Sequence, residues 1–240
     1  MSSRGPRRWL RWLIAAAGVV VVLAVGGPYV FFHFVEGSTP APLSLKASGA
    51  PSSTQSASAV AAGSGTHVAG SWTVGRGSQV GYRVQEILMG QSHTAVGRSA
   101  AVTGQMVIKG TTVTTAGFTV KMATIHTDSA QRDAQFDGRI MDVAAYPAGT
   151  FALTRPITLA PLPAVGAIKT YQATGTLTLH GKAVAVTFPL KAERTTAGID
   201  VQGSIPVLFS RWGIPNPSFT GFVTTQNHGI MEFLLDFRPA

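Results

Sequence analysis

The chain has 240 residues, of which 45% are hydrophobic, and a formal net charge of +9. This is enough apolar material for one substantial core, with a surplus that lies at the N-terminus. The absence of cysteine excludes disulfides, thiolate metal sites, a cysteine nucleophile and a lipid anchor on cysteine.

The first 35 residues have the composition of a membrane anchor. Residues 1–12 carry four arginines and no acid, and residues 13–35 contain no formally charged side chain. A stretch of this length, rising about 1.5 Å per residue, can cross a hydrocarbon core of about 30 Å, and the arginines favour a cytoplasmic N-terminus. The sequence predicts a cytoplasmic flank (1–12), a transmembrane helix (13–35) and an extracytoplasmic remainder at the cell membrane. A cleaved signal peptide begins in the same way and stays an open alternative.

Residues 36–70 are rich in Ser, Ala, Gly, Thr and Pro, and Lys46 is the only formal charge after Glu36. Such a composition cannot bury enough apolar surface to offset its ordering entropy. We therefore predict a flexible linker that spans about 30 Å on average.

From residue 71 onward the sequence has 14 Lys and Arg against 9 Asp and Glu, which leaves +5 of the net charge. These basic residues are scattered singly, without a basic run or interleaved aromatic residues. The pattern indicates a solvated surface and no nucleic-acid partner.

The same region alternates apolar and polar residues at a spacing of two, which is typical of half-buried strands. Turn signals separate the runs at Gly75–Gly77, Lys109–Gly110, His180–Lys182 and Asn227–Gly229. About eight such strands predict an all-β antiparallel barrel or sandwich, and closure would remove the exposed strand edges. The clearest runs are Val80/Tyr82/Val84, Phe118/Val120/Met122, Leu177/Leu179, Val184/Val186/Phe188/Leu190, Ile199/Val201/Ile205/Val207/Phe209 and Met231/Phe233/Leu235/Phe237.

The stretch Thr127–Phe151 interrupts this alternation and is dense in acids. Asp128 and Gln131 have the spacing of a helix N-cap and capping box, ahead of Phe136 and Ile140. We predict one or two helical turns here that close the end of a barrel or a ligand cavity.

Residues 71–240 also carry, in order, a set of motifs that resembles the YceI-like family of lipid- or polyisoprenoid-binding domains. Two positions depart from that family: Gln135 stands where a histidine is common, and Arg139–Asp142 replaces the usual Asp-Phe-Phe-Asp. The first departure puts in doubt any polar or metal role at residue 135. The second departure keeps its own position apolar. The matching motifs are Ser71–Val74, Gly104 within VTGQMVI, Thr124–Thr127, Arg132–Asp133, Met141–Pro147 with Thr150–Phe151, Gly175–Gly181 and Phe209–Ile214.

The resemblance implies an extended lipocalin-like barrel at 71–240 that holds an isoprenoid quinone, a polyprenyl lipid or a similar amphiphile without any bond chemistry. It leaves the oligomeric state open. Candidates for contact with the lipid head group are Arg132, Asp133 and Trp212, the last of which could instead seal the barrel floor. The implied cavity-lining residues are Tyr82, Val84, Met106, Phe118, Val120, Met122, Phe136, Ile140, Met141, Phe151, Leu177, Leu179, Val186, Phe188, Val207, Phe209, Met231 and Phe233.

Two alternatives remain on the sequence alone. An apolar strand face is more often packed core than a ligand cavity, so the domain could be a solidly packed interaction module. An enzyme acting on a lipid head group could use His126, Asp133 and Asp137. The histidines are dispersed without metal-ligand spacing, and no P-loop, GxSxG or GxGxxG motif is present, so we expect no metal and no cofactor besides the lipid.

Overall fold

The structure, a computed structural model, describes residues 39–45, 68–88, 90–219 and 223–240. The predicted flank and transmembrane helix, and most of the predicted linker, lie outside these residues. Within the described ranges no helix combines the length and hydropathy needed to cross a membrane.

The described residues form twelve strands in one antiparallel sheet. The strands are β1 Gly70–Val74, β2 Gln79–Leu88, β3 Gln91–Ser99, β4 Val102–Lys109, β5 Thr112–Lys121, β6 Ala148–Leu153, β7 Ile157–Thr158, β8 Ile168–Leu179, β9 Lys182–Arg194, β10 Ile199–Leu208, β11 Val223–Thr225 and β12 His228–Pro239.

Eight of these strands close into a barrel in the order β1, β4, β5, β6, β8, β9, β10 and β12, because β1 also pairs with β12. The predicted eight-stranded antiparallel barrel is thereby confirmed. Alternate residues of each strand face the interior: on β12, for example, Met231, Phe233, Leu235 and Phe237 are all buried.

Of the remaining strands, β7 pairs with β5, and the other three extend one end of the barrel. β2 pairs with the first half of β12, and β3 and β11 both pair with β2. Among the described strands β3 has no second neighbour, and only an isolated bridge joins Arg98 to His126. That end therefore has an edge, which the helical elements partly cover.

The predicted helical insertion is confirmed as helix α1 (Ala130–Gln135) followed by a π-helical turn (Phe136–Ile140). Its N-cap is Ser129, whose hydroxyl accepts the backbone N–H of Arg132 at 3.4 Å. The predicted cap, Asp128, is wrong by one residue because its carboxylate binds the guanidinium of Arg132 instead. Two further short helices are a 3-10 turn (Met122–Thr124) and α2 (Phe209–Trp212).

Residues 40–45, which we call the clasp, contact the outer face of the sheet through Pro40, Ala41 and Leu43. Arg83 donates to the carbonyl of Pro40 (2.7 Å), Arg98 donates to that of Ala41 (2.9 Å), and the backbone N–H of Leu43 donates to Glu232 (3.1 Å). The clasp lies within the stretch predicted to be a linker, and these contacts join it to the barrel. The folded domain also starts earlier than residue 71, because Val68 is buried and its carbonyl accepts the indole N–H of Trp72.

Glu232 is the centre of the clasp site. It points outward from β12 and yet is only 3% exposed, and its carboxylate lies 2.7 Å from the guanidinium of Arg98. Gly81 stands between them in register, opposite both Glu232 and Arg98. A Cβ at Gly81 would lie 2.8 Å from Cδ of Arg98. The missing side chain thus lets Arg98 reach across β2 to the carboxylate.

Three carboxylates lie side by side at the opposite end of the barrel, on Glu193, Asp200 and Asp236 of adjacent strands. Arg238 pairs with Asp236 at 2.5 Å. Burial, followed by the negative charge of Asp236, raises the pKa of Asp200 to about 6. The unfolded chain releases the same proton near pH 4.

Asp200→Asn is expected to stabilise the protein at pH 7.5 but not at pH 4. In the wild type, the folded state retains this proton between about pH 4 and pH 6 while the unfolded state loses it, so stability falls over that window as pH rises. Urea unfolding at both pH values measures the difference. The exposed carboxylate variant Asp142→Asn is the control, and an equal gain from Asp200→Asn at both pH values would contradict the assignment.

Candidate functional site

A first cavity of about 120 Å³ lies inside the barrel next to α1 and the π-helical turn. Strand residues form its walls, and Phe136, Ile140 and Met141 cover it from the helical insertion. Phe209, in α2, and Ile214, two residues after the end of α2, close another side of the cavity. The lining is almost wholly apolar, so the cavity suits a hydrocarbon group.

A second cavity of about 80 Å³ lies toward the other end of the barrel. Its lining includes Met106, Ile108, Val113, Tyr171 and Leu235. None of its described lining residues carries a formal charge. It too suits a hydrocarbon group.

Four phenylalanine rings separate the two cavities; we call them the phenylalanine layer: Phe118, Phe151, Phe188 and Phe233. Their centroids form a closed ring of contacts, with neighbouring rings 5.3 to 6.0 Å apart. Leu177 of β8 and Ile205 of β10 are almost fully buried and line neither cavity. In the described residues, no continuous tunnel therefore runs from one cavity to the other.

Glycines on the neighbouring strands make room for these rings. A Cβ at Gly175 would lie 2.5 Å from Cζ of Phe151, and one at Gly203 would lie 2.4 Å from Cζ of Phe233. Real Cβ atoms do not approach so closely. The rings of Phe151 and Phe233 thus occupy the space that side chains at Gly175 and Gly203 would otherwise need, as dense packing requires.

The polar end of the first cavity is built around Tyr82. Its ring stacks on Phe136 with centroids 5.1 Å apart and lies over Gly97, where a Cβ would meet the ring at 2.4 Å. Burial raises the pKa of the phenol, so Tyr82 stays a hydrogen-bond donor at physiological pH.

Of the described lining residues, only Glu86 and Arg132 are charged. The guanidinium of Arg132 lies 3.4 Å from Glu86 and also binds Asp128. Asp133 is the next residue along the helix. One positive charge therefore faces three carboxylates around Tyr82, which makes this end of the cavity unfavourable for an anion.

The predicted lining residues divide between the two cavities. Leu177 and Val186 are buried but line neither. Met106, Phe118, Phe151, Phe188 and Phe233 line the second cavity. Those at the first cavity are Tyr82, Val84, Val120, Met122, Phe136, Ile140, Met141, Leu179, Val207, Phe209 and Met231.

Only one of the three head-group candidates, Arg132, reaches the first cavity. Asp133 instead accepts the backbone N–H (2.8 Å) and the hydroxyl (2.7 Å) of Thr127. Trp212 is fully buried, and its indole N–H donates to the carbonyl of Leu177 at 3.1 Å. Trp212 is thus part of the floor rather than of the mouth.

Sequence reasoning missed several lining residues, among them Ala95, Ile125, Ile214 and Glu86. Ile125 and Ile214 belong to the motifs Thr124–Thr127 and Phe209–Ile214 and could have been included on that ground. Ala95 and Glu86 carry no comparable signal, because an alanine and a single acid on strands have many other uses.

Among the residues that the structure describes, no group of three or more His, Cys, Asp or Glu side chains could hold a metal ion. His126 lies 3.2 Å from Asp133 and is mostly exposed. His180 forms a hairpin turn with Gly181, both at positive φ, and its ring packs on Tyr146.

Two solved structures share this barrel. One is a polyisoprenoid binding domain from Saccharophagus degradans implicated in plant cell wall breakdown: 16% identity, 70% of this chain, 98% of that chain and a TM-score of 0.59. The other is BcnA of Burkholderia cenocepacia: 22% identity, 66% of this chain, 94% of that chain and a TM-score of 0.53. No curated protein matches the sequence.

The family profile of the YceI-like domain matches residues 72–234. This range begins within β1, ends within β12 and includes every described lining residue of the first cavity and all but Leu235 and Phe237 of the second. The chain therefore belongs to the YceI-like domain family.

Proposed function

We propose that this protein binds an isoprenoid quinone or a similarly neutral isoprenoid lipid in its first cavity and carries or sequesters it without chemical change. The observation that carries the proposal is the apolar first cavity with Tyr82, Glu86 and Arg132 at one end. The structural relative from Saccharophagus degradans, a polyisoprenoid binding domain, supports the same class of ligand.

Apolar burial supplies the affinity. At about 0.8 kcal/mol per buried methylene, one five-carbon isoprene unit contributes about 4 kcal/mol before ordering costs. A cavity of about 150 Å³ holds one benzene molecule, so the first cavity of about 120 Å³ takes no more than the first part of an isoprenoid. A longer chain must displace the phenylalanine layer.

The polar end favours a neutral head group over a diphosphate. An anion would meet three carboxylates balanced by one guanidinium. A quinone carbonyl or a prenol hydroxyl brings no charge and can accept the phenol O–H of Tyr82. These features select the quinone or prenol among amphiphiles of similar chain length.

The predicted anchor at 13–35 completes the proposal. It would hold the domain on the extracytoplasmic side of the cell membrane, where lipids of the adjacent leaflet are within reach.

We expect the full chain, purified from a host rich in isoprenoid quinones, to retain one neutral isoprenoid per molecule. Native mass spectrometry followed by organic extraction identifies it. In titrations, a short-chain quinone should bind more tightly than a prenyl diphosphate of equal chain length. Tyr82→Phe should weaken quinone binding by about tenfold through loss of one hydrogen bond.

Half-buried Tyr146 provides the matched control, since Tyr146→Phe removes a hydroxyl outside the cavity. Preference for the diphosphate would overturn the neutral head group. A chain that retains no lipid and takes up none on titration would overturn lipid binding altogether.

One observation favours a second candidate, an interaction module with a packed barrel. The phenylalanine layer divides the interior into two small spaces. This candidate predicts that no isoprenoid binds at any chain length, and the same titration decides between the two.

A further inference from the structure

Two residues at the departures from the family motifs, Gln135 and Arg139, contact each other. Gln135 is the last residue of α1, and Arg139 lies in the π-helical turn that follows. Residues four apart on a helix lie on the same face, and here Nε of Arg139 donates to Oε1 of Gln135 at 3.1 Å. Both residues are exposed. This bond leaves the two terminal nitrogens of the guanidinium available to bind a second element.

The terminal nitrogens of Arg139 bind the loop that follows α2. Nη2 donates to the carbonyl of Pro217 at 3.0 Å, and Nη1 lies 3.5 Å from the carbonyl oxygen of Asn216. We call the side chains of Gln135 and Arg139, together with these two carbonyls, the strap. In the part of the chain that the structure describes, the π-helical turn forms its hydrogen bonds to elements outside the helical insertion through Arg139 alone.

The strap joins two sides of the first cavity. Ile140, next to Arg139, lines the cavity from the helical insertion, and Pro217 lines it from the loop. The strands of the other walls are held by backbone ladders. The boundary between the insertion and the loop can therefore open without breaking any strand pairing.

The loop side of this boundary is fixed to the sheet. Nδ2 of Asn216 donates to the carbonyl of Thr225 at 3.3 Å, and the backbone N–H of Thr225 donates to Oγ of Ser218 at 2.9 Å. Asn216 also accepts the backbone N–H of Ser218 at 2.8 Å. Thr225 belongs to β11, which pairs with β2. Arg139 thus fastens the helical insertion to a loop that is itself bonded to the sheet.

We infer that Arg139, positioned by Gln135, controls how fast the ligand of the first cavity enters and leaves. The inference rests on the proposed function and adds a kinetic control to it. The first cavity, at about 120 Å³, is smaller than the cavity of about 150 Å³ that holds one benzene molecule, so its wall must move when a quinone enters. Opening at this boundary breaks the bonds of Arg139.

The strap should act on rates more than on affinity. Neither Gln135 nor Arg139 lines the cavity, so a bound ligand has no need to displace them. The strap therefore stabilises the closed protein with and without ligand alike, and only the open protein lacks its bonds. Its loss should speed both entry and release.

Stopped-flow kinetics of the full chain test the strap. A benzoquinone that carries one isoprenoid unit is the probe, and quenching of the protein's tryptophan fluorescence follows its binding. Dilution of the complex gives the dissociation rate constant. Arg139→Ala should raise both rate constants about fivefold to tenfold, as expected for the loss of charge-assisted hydrogen bonds at an exposed site. The dissociation constant should change less than about twofold.

Conservative variants separate the geometry of the strap from its charge. Arg139→Lys keeps the positive charge but not the planar fork that reaches Gln135 and two neighbouring carbonyls at once. It should therefore exchange quinone about as fast as Arg139→Ala does. Gln135→Ala should raise both rate constants about twofold to threefold, whereas Gln135→Glu, which still offers an oxygen to Nε, should keep wild-type rates.

Arg194→Ala is the matched control. Arg194 also donates to the carbonyl of a proline, Pro163, at 3.0 Å, and it lines neither cavity. Its loss should leave both rate constants unchanged. Wild-type rates in Arg139→Ala or in Arg139→Lys overturn the strap. A weaker affinity with an unchanged association rate also overturns it, because that result places Arg139 in contact with the ligand.

A readout without ligand separates this inference from the proposed function. In Arg139→Ala, the amides of Met141 and Asp142, which donate to the carbonyls of Phe136 and Gly138, should exchange hydrogen about fivefold faster than in the wild type. Faster exchange in a chain that binds no isoprenoid overturns lipid binding and supports the strap as the fastening of the insertion. Isoprenoid binding with unchanged exchange and unchanged rate constants overturns the strap alone. Unchanged exchange without any binding overturns both.

Discussion

Replacing Phe233 by alanine should lower the free energy of unfolding by about 3–5 kcal/mol, the usual loss for a buried phenyl ring. Phe233 is 2% exposed and contacts both Phe118 and Phe188 within the phenylalanine layer. Its removal should also join the two cavities. We therefore expect the variant to bind long-chain isoprenoids more tightly than the wild type does, although it unfolds at a lower urea concentration.

Phe237→Ala is the matched control for this result. Phe237 is almost as deeply buried on the same strand and also lines the second cavity, but it lies outside the phenylalanine layer. Its loss should cause similar destabilisation without connecting the cavities, so the preferred chain length should not change. Urea unfolding and titration with isoprenoid quinones of increasing length measure the two effects separately. An unchanged chain-length preference in Phe233→Ala would show that the layer is not the barrier.

Replacing Glu232 by alanine should release the clasp and destabilise the domain by about 3 kcal/mol, because Arg98 would keep a mostly buried charge without its partner. Hydrogen exchange of the Leu43 amide should rise toward that of an unstructured chain, because this N–H donates to the carboxylate of Glu232. Hydrogen exchange with mass spectrometry and urea unfolding together measure the response.

Glu86→Ala is the control, since it removes a carboxylate of β2 that pairs with Arg132 and has no contact with the clasp among the described residues. It should leave exchange in the clasp unchanged. Rapid exchange of the clasp in the wild type would contradict stable docking.

Much of the barrel could be predicted from the sequence because its signal is local. Alternation along β12 directly gives the inner face of Met231, Phe233, Leu235 and Phe237, and turn residues such as His180–Gly181 mark the hairpins. The helical insertion was also predictable from its acids and apolar spacing. Its N-cap was not, since Asp128 and Ser129 are both good caps and the choice depends on Arg132.

The division of the interior was not predictable, because alternation says which residues face inward and not how their rings meet. Phe151 and Phe233 fill the barrel only because Gly175 and Gly203 lie next to them on neighbouring strands. The clasp was missed for a related reason. Its composition is that of a linker, and its three anchoring groups, on Arg83, Arg98 and Glu232, are distant in sequence.

The free edge of β3 is held by few backbone hydrogen bonds. On one side β3 is hydrogen-bonded to β2 along its whole length, and on the other it is held by the backbone pair Arg98 and His126, at 2.9 and 3.0 Å. Opening this edge would break two backbone hydrogen bonds, whereas opening the barrel between β8 and β9 would break a twelve-residue ladder. We therefore expect a ligand too bulky for the end of the first cavity to leave between β3 and His126, while the β8–β9 pairing stays intact.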